Sequence, residues 1–356
     1  MTPPRRPTAH AVSVAGVTRP LRSLGFLTIG LFDRENPRAG HETTLSIIER
    51  GERLGFDSAW LRDRHLQYGI SSPVAVLAAA SQRTSRIRLG TAVIPLGWEN
   101  PLRLAEDLAT VDVLTGGRLE PGFSVGPPRR LDEIAPALYP DTAAHERFGY
   151  ERLARLRGFL AGERVSPFAG TEGIEEYSER VEPHARGLAD RLWYGAGSPT
   201  STTWAAENGF HLLTSSVIQS TASTDFDAEQ HAQIRLYRDT HPDGETARVS
   251  QGLVVVPTDT ATHEQRRRYE AYAESRRGRV GIPQGPRGML FAEDLVGTSE
   301  QIAERLLSSL SFPEIDEVAF ALPFALAPDD YAQILEDIAG RLAPLLGWTP
   351  ATRGMP

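Results

Sequence analysis

Residues 193–209, WYGAGSPTSTTWAAENG, run from an apolar strand through a glycine turn into the opening of a helix. Such a junction aims backbone N–H groups and the positive end of the helix dipole at whatever lies above it, and so suits an anion. Gly195-Ala196-Gly197 begins a dinucleotide fingerprint, but the third glycine of G-x-G-x-x-G falls on Thr200. The first βα unit of the chain carries no glycine fingerprint either. Ser198 stands instead as an N-cap and Pro199 as the first helical residue, with the hydroxyls of Ser201 and Thr202 in the first turn. Two readings stay open: a phosphate seat, and a well-capped helix in a tight corner.

Outward from this junction the chain alternates. SLGFLTIGL (23–31), SAWLRD (58–63), IRLGTAVIPL (87–96), RLEPGFSVG (118–126), RLWYGAG (191–197), HLLTS (211–215), RVSQGLVVVP (248–257) and DEVAFALP (316–323) read as strands. A helical pattern follows each. In PLRLAEDLATVDVLTGG (101–117), Leu104, Leu108, Val111 and Leu114 form a helical stripe that Gly116-Gly117 ends. HERFGYERLARLRGFLAG (145–162) reads as a helix, and 127–144, 163–190 and 277–297 as loops with little pattern. The nearly continuous apolar run at 87–96 is what a parallel strand buried on both faces shows. Strict βα alternation gives a parallel sheet. Eight units in one unbroken chain predict an α/β fold, a single (β/α)8 TIM barrel with insertion loops over 23–347. An open doubly wound sheet is the runner-up. Residues 1–22 and 348–356 are expected to be tails, the first disordered. In a barrel the informative residues end the strands.

The 356 residues carry a formal net charge of -8 and form no basic stripe, so a nucleic-acid partner is not expected. The absence of cysteine removes disulfides, thiolate metal sites and cysteine nucleophiles and fits a cytoplasmic setting. No apolar run approaches the ~20 residues of a membrane helix, and the sequence after Arg5-Arg6 is too short and too weakly apolar for a signal's h-region. His41-Glu42, His145-Glu146 and His263-Glu264 each lack the second histidine of H-E-x-x-H, and G-x-S-x-G is missing. No metal site is expected.

Three stretches in register, LGFDSAWLRDRH (54–65), RLGTAVIPLGWENPLRLAEDLATVDVLTGGR (88–118) and 193–209, resemble the bacterial luciferase-like superfamily of flavin-dependent monooxygenases and oxidoreductases. LVGTSEQIAERL (295–306) fits it as well. The resemblance implies a (β/α)8 barrel that binds FMN, or in one branch the deazaflavin F420, at its C-terminal mouth. It implies a non-prolyl cis peptide at Ala92-Val93 against the flavin ring, and Ser124 lining the ring pocket. Gly197, Ser198 and Ser201 match positions that meet the flavin phosphate, and Arg147 matches an arginine near the cofactor. For Arg147 the competing role is that of a solvated helix arginine.

Two positions depart from the luciferase pattern. Its Glu-His-His run is here Asp63-Arg64-His65, which puts Arg64 at the histidine active in peroxyflavin chemistry. The arginine that grips the phosphate in luciferase aligns with Val125, leaving Arg147, Arg129 or Arg130 as substitutes. His65 is the candidate for proton traffic, since an unperturbed imidazole titrates near neutrality. Arg64 is a fixed cation for a flavin or peroxide anion. The competing reading for both is a salt bridge with Asp63. Trp98 is placed to stack on substrate, whereas Trp60 reads as core. The expected activity is a monooxygenase using reduced FMN and O2, through a C4a-peroxyflavin, on a small organic substrate. With no evident nicotinamide site in the chain, a separate flavin reductase is the expected electron donor. An F420-dependent oxidoreductase and a non-catalytic flavin-binding or heteromeric partner subunit are the alternatives. The family leans towards dimers, homomeric or heteromeric.

Overall fold

The computed structural model describes residues 19–350. Residues 1–18 and 351–356, most of the two expected tails, lie outside the described residues. Packing reaches past both expected bounds. Leu21 is buried and its N–H donates to the Leu346 carbonyl, and Trp348 is buried with Nε1 donating to Asp57 Oδ2 at 2.8 Å.

The chain begins β1 (Ser23–Thr28), α1 (Pro37–Leu54), β2 (Ser58–Leu61), α2 (Pro73–Ser81), β3 (Arg88–Thr91), β4 (Ile94–Pro95) and α3 (Pro101–Thr115). It continues β5 (Leu119–Glu120), β6 (Gly122–Ser124), α4 (Leu131–Leu138), α5 (Tyr150–Leu160), β7 (Gly170–Glu172), β8 (Glu175–Tyr177), β9 (Trp193–Gly195) and α6 (Pro199–Glu207). Then come β10 (His211–Thr214), β11 (Val217–Gln219), α7 (Phe226–Thr240), β12 (Val249–Gln251), β13 (Val255–Pro257) and α8 (His263–Arg277). Last are β14 (Met289–Phe291), β15 (Leu295–Gly297), α9 (Ser299–Leu307), β16 (Glu317–Ala321) and α10 (Pro328–Asp337).

Ten of these strands form one curled sheet in the order β4-β6-β9-β10-β12-β16-β1-β2-β3-β5. Every pairing in it is parallel. A parallel sheet needs both faces covered, and the β1, β2 and β3 side chains are almost all buried. Trp60 lies in this core, 1% exposed and edge-on to Trp193 with ring centroids 5.4 Å apart.

Three expected strands are interrupted. The run at 87–96 breaks between β3 and β4, where the Ala92–Val93 peptide bond is cis. The run at 118–126 breaks at Pro121, which has no N–H to give a ladder. The run at 248–257 breaks after Gln251, and β13 pairs with β15 in a separate two-stranded sheet. The helix expected over 145–162 starts only at Tyr150, after Gly149 in extended geometry. All three expected loops hold short elements: α4 in the first, the exposed β7–β8 hairpin in the second, and β14 and β15 in the third.

The N-terminal strand ends are tied by charge. Glu120, 3% exposed, accepts from Arg88 Nη1 at 2.9 Å and Arg248 Nη1 at 3.1 Å, and Arg248 also grips Glu317. Burial pushes the Glu120 carboxyl up, but the two guanidiniums outweigh it and hold it below the usual range. This network closes one end of the sheet and leaves the C-terminal strand ends for a site.

Candidate active site at the C-terminal strand ends

Just past β2 come Asp63, Arg64 and, in a turn, His65, held by N–H donation from Arg62 to Thr28 O and from Arg64 to Ile70 O. The turn brings His65 Nε2 to 3.5 Å from Asp63 Oδ2. β4 leads into a single helical turn, Leu96–Trp98, which lays the Trp98 indole on the His65 ring at 4.2 Å between centroids and 17° between planes. Asn100 then caps α3, its side chain accepting from the N–H groups of Leu102 and Arg103.

Asp63 is wholly buried, and neither carboxylate oxygen receives a hydrogen bond. The expected alternative salt bridge from Arg64 does not form. Arg64 donates from Nη1 to the Asp63 backbone carbonyl instead. Burial, reinforced by the Glu99 carboxylate, pushes the Asp63 carboxyl up to about 7. Burial likewise raises Glu99, with Asp107 adding to it. The His65 imidazole is pushed down by burial and then by Arg64, and Arg64 is itself lowered by burial and by Arg129.

At the opposite wall, β9 ends in Gly195 and α6 begins. Ser198 and Ser201 form a reciprocal capping box: Ser198 Oγ accepts from the Ser201 N–H, and Ser201 Oγ accepts from the Ser198 N–H at 3.1 Å. The two hydroxyls lie 3.0 Å apart. Thr202 is fully buried, bonded to Ser198 O and Gln233, and does not face the site. A Cβ on Gly195 would come within 2.9 Å of the Val93 side chain, so this strand passes close under the cis peptide only as glycine. A Cβ on Gly197 would meet nothing nearer than Met289 at 4.0 Å, leaving the approach to the helix start open.

One cavity of about 1220 Å³ joins the two walls. Arg64, His65, Trp98, Ser124, Gly197, Ser198 and Ser201 all line it. Ala92 and Val93 are not among its lining residues but pack beneath it, against the cluster of Trp60, Trp193 and Leu213. Arg147 is not brought in. It is exposed in the segment before α5, so it is neither a lining residue nor a helix arginine. Arg129 and Arg130 do line the cavity, with Arg130 engaged by Glu133. Sequence reasoning missed Glu99, Tyr150, Tyr194, Gln219 and Arg287. The last four line the cavity, and Glu99 comes within 4.8 Å of Asp63 and His65, ligand atom to ligand atom. For Glu99 the one available signal was its place between Trp98 and the Asn100 cap.

A curled parallel sheet covered by helices, with a cavity walled by its C-terminal strand ends and the loops beyond them, defines an α/β protein. The chain belongs to the luciferase-like monooxygenase family, whose model matches residues 25–311. Limonene 1,2-monooxygenase from Rhodococcus erythropolis is 36% identical over 172 residues, 48% of this chain and 43% of that protein. F420-dependent glucose-6-phosphate dehydrogenase from Intrasporangium calvum is 32% identical over 174 residues, 45% of this chain and 49% of that protein. The chain thus matches about half the length of these curated relatives. The crystal structure of monooxygenase RslO1 from Streptomyces bottropensis superposes with a TM-score of 0.68 at 20% identity, covering 90% of this chain and 99% of that one. No helix among the described residues is long and apolar enough to cross a membrane.

Proposed function

We propose that the protein is a flavin-dependent monooxygenase that uses reduced FMN and O2 on a small organic substrate, with the reduced flavin delivered by a separate reductase. The observation that carries this reading is the single cavity running from the Ser198–Ser201 helix start to the His65–Arg64–Trp98 wall. Its volume exceeds the roughly 300–1,000 Å³ of ordinary ligand pockets, which leaves room for a cofactor and a substrate together. The barrel reading belongs to the same proposal. Joining β3 to β4 across Ala92–Val93, and β5 to β6 across Pro121, turns the order of the ten strands into a ring of eight.

The residues fit the cofactor. The open backbone at Gly197, the Ser198 and Ser201 hydroxyls and the α6 dipole suit a terminal phosphate. Ala92, Val93 and Ser124 would support the ring. Bound reduced flavin supplies the electrons for O2. Arg64, a half-buried guanidinium with no acid partner among the described residues, stabilises negative charge at the ring end. His65, with Nε2 turned to Asp63, offers its Nδ1 edge to the cavity and handles the proton there, while Trp98 fixes the ring plane and borders the substrate space.

The F420-dependent relative supports a second reading, a deazaflavin enzyme on the same cavity. Titration of FMN, reduced FMN and F420 followed by fluorescence, with oxygen consumption in parallel, separates them. Tight reduced-FMN binding with substrate-dependent O2 uptake supports the proposal. Binding of F420 alone overturns it, and binding without turnover points to a partner subunit, homodimeric or heterodimeric.

A further inference from the structure

We propose that Asp63, His65 and Glu99 form a binding site for one divalent first-row transition-metal ion beside the cavity. One ligand atom from each, a carboxylate oxygen, an imidazole nitrogen and a second carboxylate oxygen, all lie within 4.8 Å of one another. The one resolved edge, His65 Nε2 to Asp63 Oδ2 at 3.5 Å, matches the ligand–ligand separation expected for bonds of about 2.0–2.2 Å.

Beyond the Asp63–His65 contact itself, the three side chains have no hydrogen-bond or ion-pair partner among the described residues. Both Asp63 oxygens and His65 Nε2 are buried with no hydrogen bond, and the Asp63 side chain has no exposure at all. Unpaired buried carboxylates are costly and are met in proteins paired or coordinating a metal. Glu99 makes no salt bridge among the described residues, although its backbone is fixed by the Leu96 carbonyl and by Arg152 Nη1 at 2.7 Å. Two carboxylates converge on one imidazole without a cation between them. Arg64 bonds to the Asp63 backbone carbonyl rather than to its carboxylate. A divalent ion neutralises both acids and occupies the space they share.

The donor set selects the ion. One imidazole with two carboxylates suits Mn²⁺, Co²⁺ or Zn²⁺, whereas Ca²⁺ and Mg²⁺ favour oxygen alone. Trp98 stacks on the face of the His65 ring and restricts its plane, leaving the Nε2 edge directed at Asp63. Coordination through Nε2 places the ring proton on Nδ1, so His65 faces the cavity as a donor. The ion site stands apart from the flavin reading, because its test is metal content rather than cofactor binding or turnover.

The full chain is stripped with chelator, desalted, and titrated with Co²⁺ and Zn²⁺, with visible absorbance and elemental analysis as readouts and melting temperature as a control. The expected result is about one ion per chain, cobalt ligand-field bands showing a nitrogen–oxygen set, and a raised melting temperature. Glu99→Gln, nearly isosteric, is expected to keep the metal-free melting temperature and weaken binding at least about tenfold. Substoichiometric binding at millimolar metal overturns the proposal and leaves a shared proton as the occupant. Affinity unchanged in Glu99→Gln, or Ca²⁺ bound as tightly as Zn²⁺, overturns it as well.

Discussion

Ser198 has two assignable duties, capping α6 and meeting a phosphate, and Ser198→Asp separates them. Aspartate caps a helix about as well as serine, so the N–H groups at the helix start keep an acceptor and stability is expected to hold. The phosphate instead meets a new carboxylate. Two unit charges 4 Å apart repel by about 4 kcal/mol at an effective dielectric near 20, and screening at this half-exposed position reduces that to about 2–3 kcal/mol. At 1.4 kcal/mol per decade the flavin affinity should fall about 30- to 150-fold. Ser198→Ala gives the complementary pattern. Losing the cap costs about 1 kcal/mol, or roughly 1–2 °C in melting temperature for a chain of this size, whereas one lost hydrogen bond to the phosphate costs about tenfold in affinity. Fluorescence titration with FMN and thermal melts of the two variants provide both axes. A Ser198→Asp protein that binds FMN within threefold of wild type, with an unchanged melt, would refute the phosphate seat and leave only the capped helix.

Arg64→Ala removes a cavity-facing cation without an acid partner, so its melt should shift by less than about 2 °C while turnover falls roughly 10²-fold. Turnover equal to wild type would remove Arg64 from the chemistry. At the other end of the sheet, Glu120→Ala removes the buried acid between Arg88 and Arg248, which keep Glu317, and should cost about 2–3 kcal/mol in urea unfolding. A loss below about 1 kcal/mol would show that network to be incidental. His211 is held down to about 4 by burial and then by Arg248, well under the roughly 6.5 of an unfolded chain. The unfolded state therefore binds the extra proton first. The stability from keeping this ring neutral is fully present above about pH 6.5 and drains by up to about 3 kcal/mol as pH falls towards 4. His211→Gln should flatten the slope of melting temperature over that window, and parallel slopes for the two proteins would dismiss the role.

Much of the architecture was legible because burial on both faces of a parallel sheet leaves apolar runs, and helix caps leave Ser, Asn, Pro and Gly at fixed offsets. Asn100-Pro101 and Ser198-Pro199 start helices where those residues direct. Hydropathy alone could not find the breaks within strands. An apolar run looks the same whether it is continuous or turns at Ala92–Val93, and only the family resemblance marked that position. Arg147 shows the opposite failure. The helical pattern was extended five residues too early through HERFG, and Gly149 in extended geometry leaves that arginine outside both helix and cavity.

The site divides along the same line. His65, Trp98 and Ser198 could be named because each ends a strand or opens a helix, positions that point to the C-terminal mouth before any contact is known. Glu99 could not, since its role depends on β3 and β4 running beside β2 and β6, so that a residue 36 positions after Asp63 in the chain becomes its neighbour in space. Of the competing salt bridges to Asp63, the one from Arg64 does not form, while His65 Nε2 comes within 3.5 Å of its carboxylate. Sequence patterns report what one element does with its own faces. What meets at a sheet's end is a property of adjacent strand ends: at Asp63, His65 and Glu99 two carboxyl groups and an imidazole converge, and neither Asp63 oxygen has a hydrogen bond among the described residues.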